Sequence, residues 1–73
     1  MKYMFTAEWC GHCKSMKSVV EKIPDVQIID VEENPELAEK YQVMSLPSYV
    51  IDNGDVQFKT GLFPEEIIRE FYK

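Results

Sequence analysis

Two cysteines lie close together near the start of the chain, in the segment Trp9-Cys10-Gly11-His12-Cys13. Cysteines at this spacing can bind a metal, form a structural disulfide, or cycle between dithiol and disulfide. The chain has no other cysteine and no histidine besides His12, which cannot easily reach an ion held by the cysteines on either side of it. Two ligands fill only half of a tetrahedral zinc site. We therefore expect no metal site within one chain and favour the redox cycle; a metal or cluster shared by two copies stays open.

The surroundings of the pair predict which cysteine reacts. A short apolar segment precedes Cys10 and a helical pattern follows it, so Cys10 falls at a helix N-terminus. Free backbone N–H groups and the helix dipole stabilise an anion there. We expect the pKa of the Cys10 thiol to be lowered, because the thiolate is the nucleophilic form. Cys13 lies one turn into the helix, facing the core but within bonding reach, which suits it to resolve a mixed disulfide.

The residues around the two cysteines are candidates for tuning and for partner contact. His12 can donate a hydrogen bond or positive charge towards the Cys10 thiolate, which would stabilise the reduced form and make the disulfide more oxidising. Alternatively, His12 is an exposed side chain with little effect. Gly11 leaves the approach to Cys10 open. Trp9 either covers the small core or offers a flat surface to a partner.

A distant proline is the second part of the candidate site. Pro47 follows Leu46 and precedes a predicted strand, and proline cannot donate to a sheet ladder, so it indicates a turn or a cis peptide bond. Held beside the cysteines, a cis Pro47 would leave the Leu46 backbone free to pair with an extended substrate peptide. The alternative is an ordinary proline that opens a strand.

The elements that must position these residues follow from periodicity and turn signals. Strands are predicted at Lys2–Phe5, Gln27–Val31, Ser48–Ile51 and Val56–Thr60. Helices are predicted over Cys10–Ile23, from Asn34-Pro35 with Asn34 as the cap, and from Pro64. Asn53-Gly54 predicts a tight hairpin between the last two strands. Residues 1–73 therefore form one α/β domain of order β-α-β-α-β-β-α, a four-stranded mixed sheet flanked by helices.

The apolar face of each helix is also predicted from its spacing. The first helix should bury Cys13, Met16, Val20 and Ile23. The last helix should pack through Ile67, Ile68, Phe71 and Tyr72.

Composition excludes several classes of partner. The 73 residues carry a net charge of −5, and their basic residues form no cluster, so a nucleic-acid partner is not expected. No apolar run approaches the ~18 residues that a membrane-spanning helix needs. The N-terminus leaves no room for a secretory signal ahead of the cysteines. We expect a cytoplasmic monomer.

Taken together, these features resemble the thioredoxin family. AEWCGHCK is similar to its active-site loop, and DVEENPELAEKYQVMSLPSYVIDNGDVQFKTG is similar to its stretch from the second strand through the cis-proline and hairpin to a glycine, here Gly61. The resemblance covers nearly the whole chain, which lacks the first strand and helix of a full-size thioredoxin, as glutaredoxins and small redoxins do. It implies Cys10 as nucleophile and Cys13 as resolving thiol. The substrate groove would include Trp9, Leu46, Pro47 and Gly61.

The chain departs from the family at two places. A buried acid usually lies six positions before the first cysteine, where this chain has Met4, and its lysine partner aligns with Ile28. The usual proton acceptor for Cys13 is therefore missing, and water or the leaving thiolate would take the proton. The second departure is Cys-Gly-His-Cys, which resembles protein disulfide isomerases, more oxidising than thioredoxins by roughly 90 mV.

The resemblance implies a protein disulfide oxidoreductase with no bound cofactor. We expect it to reduce disulfides of client proteins, ribonucleotide reductase being one implied client, and to be recycled by a thioredoxin-reductase-type flavoenzyme or a low-molecular-weight thiol. Glutathione is not the favoured reductant, because Thr60-Gly61-Leu62 lies where glutaredoxins carry two glycines. Three alternatives stay open: a disulfide oxidant or isomerase, a non-enzymatic binding module, and a copper or iron–sulfur carrier.

Overall fold

The computed structural model describes residues 1–73 and contains the predicted elements in the predicted order. The strands are β1 (Lys2–Thr6), β2 (Val26–Asp30), β3 (Ser48–Asp52) and β4 (Val56–Thr60). The helices are α1 (Gly11–Val20), α2 (Pro35–Lys40) and α3 (Glu65–Phe71). The four strands form one sheet of order β2-β1-β3-β4, in which β1 and β2 are parallel and the other pairs antiparallel. The predicted mixed α/β sheet with flanking helices is confirmed.

The first helix is shorter than predicted. It ends at Val20 rather than at Ile23. The N–H groups of Lys22 and Ile23 donate to carbonyls three residues back, those of Val19 and Val20, so the chain continues in tighter turns instead of a further α-helical turn. Such turns also satisfy the apolar spacing that predicts a helix, which is why the spacing does not show where the helix ends.

The start of α2 matches the prediction in position but not in its hydrogen bond. Asn34 is the N-cap residue and Pro35 the first helical residue. The Asn34 side chain, however, makes no capping bond to the helix, and its amide donates to the carbonyl of Asp30 at 3.4 Å instead. The cap therefore ties α2 back to the end of β2.

The hairpin loop is one residue longer than a two-residue turn. Asp52 is the register partner of Val56, so residues 53–55 form the connection. Only Gly54 adopts a positive φ, at 109°, a conformation that other residues rarely adopt.

Apolar side chains pack on both faces of the sheet. The face covered by α1 and α3 buries Met4, Met16, Val20, Tyr49, Ile51, Ile68 and Tyr72. The face covered by α2 buries Tyr3, Phe5 and Val50, against which Leu37, Ala38 and Tyr41 pack. The predicted packing role of Ile67 is wrong, since 45% of its surface is exposed. The short α3 turns Ile68, and not its neighbour, towards the sheet.

Antiparallel pairing of β1 with β3 positions the candidate site. Phe5, near the end of β1, is opposite Ser48, the first residue of β3. The loop that follows β1 and the loop that precedes β3 therefore meet at one end of the sheet. No helix of the chain has both the length and the apolar composition needed to cross a membrane.

Candidate functional site

The two cysteines are joined as a disulfide at the start of α1. Cys10 is the N-cap residue, and the backbone N–H of Cys13 donates to its Sγ at 3.2 Å. The Cα atoms of the pair lie 5.3 Å apart. The sulfur of Cys10 thus occupies the place of a capping oxygen, where an anion is favoured by the helix N-terminus.

The two sulfur-bearing residues differ in accessibility. Cys13 is fully buried, and Cys10 keeps 8% of its surface exposed. Both pack in a small cluster with Ala7, against which Val31 and Leu46 lie. The structure confirms that Cys13 faces the core. Of the two cysteines, only Cys10 borders an open groove at the surface.

An open groove of about 630 Å³ runs beside Cys10. Its lining residues are Trp9, Cys10, Gly11, His12, Val31, Val43, Met44, Ser45 and Leu46. The structure thus brings four other residues named from the sequence together with Cys10, namely Trp9, Gly11, His12 and Leu46.

Four lining residues were missed by sequence reasoning. Val43, Met44 and Ser45 directly precede Leu46 and Pro47, and extending the loop by three residues would have found them. Val31 directly follows β2, and the ends of the parallel strands β1 and β2 meet at the same edge of the sheet.

Pro47 and Gly61 are not among the residues that line this groove. The Leu46–Pro47 peptide bond is cis, one of the two conformations predicted for it. Pro47 is fully buried, and its carbonyl accepts from the N–H of Gly61 at 3.0 Å. The Ser48 hydroxyl donates to the carbonyl of Ser45. The bond between Pro47 and Gly61 holds the loop before β3 against the loop after β4, and the bond between Ser48 and Ser45 closes the loop before β3 on itself.

The loop before β3 leaves backbone groups unpaired. Neither the N–H nor the C=O of Leu46 makes a hydrogen bond within the chain, and the same is true of Met44. Backbone groups of this kind are normally satisfied by protein or water. They can therefore pair with the backbone of another chain laid along the groove.

Gly11 leaves the approach to Cys10 open, as expected. A Cβ atom built on Gly11 would meet nothing within 4 Å, and its φ is not in the left-handed region. The fold itself therefore does not require glycine at this position.

Trp9 and His12 both face the groove. Trp9 is 70% exposed, so its role as a cover for the core is ruled out. His12 is exposed and makes no hydrogen bond with Cys10 in the disulfide form. An influence of His12 on the sulfur would then act through its charge.

The position of the missing acid is apolar. Met4 is fully buried and is the register partner of Ile28, so the two aligned positions are neighbours in the sheet. Asp30 lies two residues further along β2 on the same face, and its Oδ1 accepts from the N–H of Glu32 at 2.8 Å. Glu8 is exposed, as expected. The two positions at which the family carries its acid and lysine are therefore both apolar in this chain.

No group of three or more His, Cys, Asp or Glu side chains is arranged to hold a metal ion.

Comparison with known proteins identifies relatives of this arrangement. The thioredoxin family model matches residues 3–72. Thioredoxins of several Staphylococcus aureus strains are 37% identical to the chain over 75 aligned positions, which cover 90% of this chain and 72% of the relative. Among solved structures, a single-residue mutant of the thioredoxin of Halobacterium salinarum NRC-1 aligns with a TM-score of 0.85 at 32% identity, covering 96% of this chain and 68% of the other. The germline-specific thioredoxin Deadhead of Drosophila melanogaster aligns with a TM-score of 0.83 at 30% identity, covering 97% and 75%.

Proposed function

Because the chain belongs to the thioredoxin family and is a thiol–disulfide oxidoreductase, we propose that it reduces protein disulfides with Cys10 as nucleophile and Cys13 as resolving thiol. The difference in accessibility between the two sulfurs carries this assignment. Cys10 borders the groove, whereas Cys13 is fully buried and does not. A client disulfide approaching along the groove therefore meets the sulfur of Cys10 first.

The reaction starts from the reduced protein. The Cys10 thiolate attacks one sulfur of the client disulfide; an S–S bond forms between Cys10 and the client, the client's own S–S bond breaks, and its second sulfur leaves as a thiolate. Cys13 then loses its proton and attacks Cys10, which releases the first client sulfur. The protein dithiol has become a disulfide, the client disulfide a dithiol, and two electrons have passed to the client.

One feature of the site supports this sequence, and a second determines where the proton of Cys13 goes. The N-terminus of α1 and the N–H of Cys13 stabilise negative charge on Cys10. The proton of Cys13 has no buried carboxylate to receive it, since Met4 and Ile28 occupy those positions. The thiolate that leaves the client lies close by and takes this proton, directly or through water.

The client binds as an extended segment in this proposal. The free N–H and C=O of Leu46 exchange hydrogen bonds with the client backbone, an addition of a strand beside the loop. Trp9 contributes its exposed ring to the same groove. Pro47 and Gly61, which are hydrogen-bonded to each other, act by fixing the loop that carries Leu46.

Thioredoxins use no prosthetic group, act on disulfide substrates and are reduced by a reductase. For this chain we assign the recycling step to a thioredoxin-reductase-type flavoenzyme or a low-molecular-weight thiol, and its place of action to the cytoplasm. Ribonucleotide reductase as a client stays a prediction from the family resemblance.

A second candidate function is that of a disulfide oxidant or isomerase, which His12 in the groove favours. A positive charge near Cys10 would stabilise the thiolate and raise the potential of the couple. The reduction potential separates this candidate from a reductant.

Trapping of a mixed disulfide tests the proposed roles. The Cys13→Ser variant, reduced and mixed with a disulfide-containing protein such as insulin, should accumulate a covalent adduct at Cys10 that dithiothreitol releases. The Cys10→Ser variant is the matched control and should form little adduct, because its remaining thiol is buried. Equal adducts from both variants would refute the assignment. Equally tight binding by the Cys13→Ser variant without a covalent link would indicate a binding module.

A further inference from the structure

We infer that Met44 selects clients by contacting an apolar side chain next to the client's disulfide cysteine, with Trp9 as the second apolar contact of the same groove. This inference rests on the proposed function and adds a substrate class to it. Met44 plays no part in the chemistry itself; its role is in specificity.

The exposure of these two side chains is the first observation. Met44 is 92% exposed and Trp9 is 70% exposed, the two highest values among the exposed large hydrophobic side chains of the chain. Both line the groove that borders Cys10. Single exposed apolar residues are normal, but apolar exposure concentrated beside a reactive group marks a binding surface.

The absence of formal charge along the groove is the second observation. The chain contains 8 Lys and Arg and 13 Asp and Glu residues, yet none of them lines the groove, where His12 is the only titratable side chain apart from Cys10. A charged residue of a client placed here would lose water without gaining a partner. The complementary client segment is therefore apolar and uncharged close to its cysteine.

The side chain of methionine determines which client side chains Met44 can accept. Its unbranched, polarizable side chain adapts to partners of different shape, so we expect leucine, methionine and aromatic side chains to be accepted alike. The unpaired backbone groups of Met44 and Leu46 hold an extended segment along the loop. Such a segment brings its side chains past Met44 while its cysteine lies at Cys10.

Matched peptides test the inference. Each peptide carries one disulfide, and a single Leu or a single Ser is placed at each of the two positions on either side of the attacked cysteine. The unmodified protein should reduce the best Leu peptide with a kcat/KM about tenfold above its Ser counterpart, as expected for partial burial of one apolar side chain. Met44→Ser should remove most of this preference, and Met44→Leu should keep it.

Two controls separate a specific effect from a general one. Val56→Ser alters a side chain that is 55% exposed on β4 and does not line the groove, so the Leu preference should be unchanged. Hydroxyethyl disulfide has no flanking residues, so Val56→Ser should reduce it at the rate of the unmodified protein. Equal rates for Leu and Ser peptides, or an equal loss on both in Met44→Ser, would overturn the inference while leaving the proposed function intact. Failure to reduce any disulfide would instead overturn the proposed function.

A binding measurement gives a second readout that needs no turnover. Trp9 is the only tryptophan, so its fluorescence reports on the groove in a variant with both cysteines changed to serine. The Leu peptide should bind about tenfold tighter than the Ser peptide, and adding Met44→Ser should abolish the difference. Identical affinities for the two peptides would contradict the inference.

Discussion

The groove beside Cys10 and the core around Tyr49 and Tyr72 differ in whether their polar groups find hydrogen-bond partners within the chain. In the groove, the backbone groups of Leu46 are unpaired and the side chain of Met44 lies in solvent. In the core, Tyr49 and Tyr72 are almost completely buried and both hydroxyls donate hydrogen bonds, to the carbonyls of Gly61 at 2.8 Å and Tyr3 at 2.5 Å. The first region leaves its interactions for a partner, whereas the second satisfies all of its own.

This difference separates function from stability in a very small domain. A chain of this size buries only ~60% of its unfolded surface, so each buried contact provides a large share of its stability. Changes in the groove should alter activity and leave folding intact, and changes in the core should do the reverse. The Tyr49 bond to Gly61 connects the two regions, because Gly61 also donates to Pro47, which directly follows Leu46 of the groove.

The largest expected effect is that of Cys10→Ser. Turnover of insulin should fall by on the order of 10³-fold or more, because no other sulfur faces the groove as a thiol. The free energy of unfolding of the reduced protein should change by less than ~1 kcal/mol, since the two side chains have similar volumes. Urea denaturation and insulin reduction, measured on the same reduced samples, check both. A large loss of stability would mean that groove and core are not separable.

A substitution of Tyr72 in the core tests the opposite case, in which stability should fall and activity should be retained. Tyr72→Ala removes a fully packed ring and should cost ~3–5 kcal/mol of unfolding free energy. If that variant does not fold, Tyr72→Phe keeps the ring and loses the hydroxyl bond to Tyr3, at a cost of about 1 kcal/mol. Urea titration gives the stabilities. The turnover per folded molecule should be unchanged, and a lower value would show that the core helps to shape the groove.

Alkaline pH should weaken the core. Burial raises the pKa of Tyr72 and that of Tyr49 above the ordinary tyrosine range. The folded protein therefore retains protons that the unfolded chain releases above pH ~10. Stability is full below that pH and falls above it by up to ~1.4 kcal/mol per pH unit for each tyrosine. Urea titrations from pH 9 upwards should show this slope, and Tyr72→Phe should reduce it; an unchanged slope would contradict the assignment.

A smaller change is expected at His12. His12→Pro should make the Cys10–Cys13 couple more reducing by about 30 mV, equivalent to ~1.4 kcal/mol, because a nearby positive charge no longer stabilises the thiolate. Equilibration with glutathione buffers measures the shift. Trp9→Phe is a control within the same groove that changes no charge. An unchanged potential in His12→Pro would mean that His12 is merely exposed.

Much of the fold could be predicted because its signals are local. The spacing of Cys13, Met16 and Val20 marks one helical face, and Gly54 marks the hairpin. Pro47 indicates a turn or a cis bond because few other roles suit a proline before a strand. The ends of elements were less predictable. Apolar Ile23 continues the helical pattern, but its backbone follows a tighter turn.

The groove could be predicted only where a residue carries its own chemical signal. Cys10 and Cys13 can be recognised from their residue type and spacing. Val31 and Met44 are ordinary apolar residues in the sequence, and only the folded sheet shows that their loops lie beside α1. The hydrogen bond considered for His12 depends on a side-chain direction that no spacing specifies. Gly61, implied by the family resemblance as part of the groove edge, does not line the groove and is hydrogen-bonded to Tyr49 and Pro47.

The reduction potential of the Cys10–Cys13 couple tests the central claim most directly. The sulfur of Cys10 accepts a hydrogen bond from the Cys13 N–H at the start of α1, and His12 makes no hydrogen bond with it, so we expect His12 to raise the potential by no more than about 30 mV. We therefore predict a value near −270 mV, which is characteristic of thioredoxins, despite the Cys-Gly-His-Cys sequence. A value near −180 mV, characteristic of protein disulfide isomerase, would contradict a role as reductant and assign the protein to disulfide formation or isomerisation.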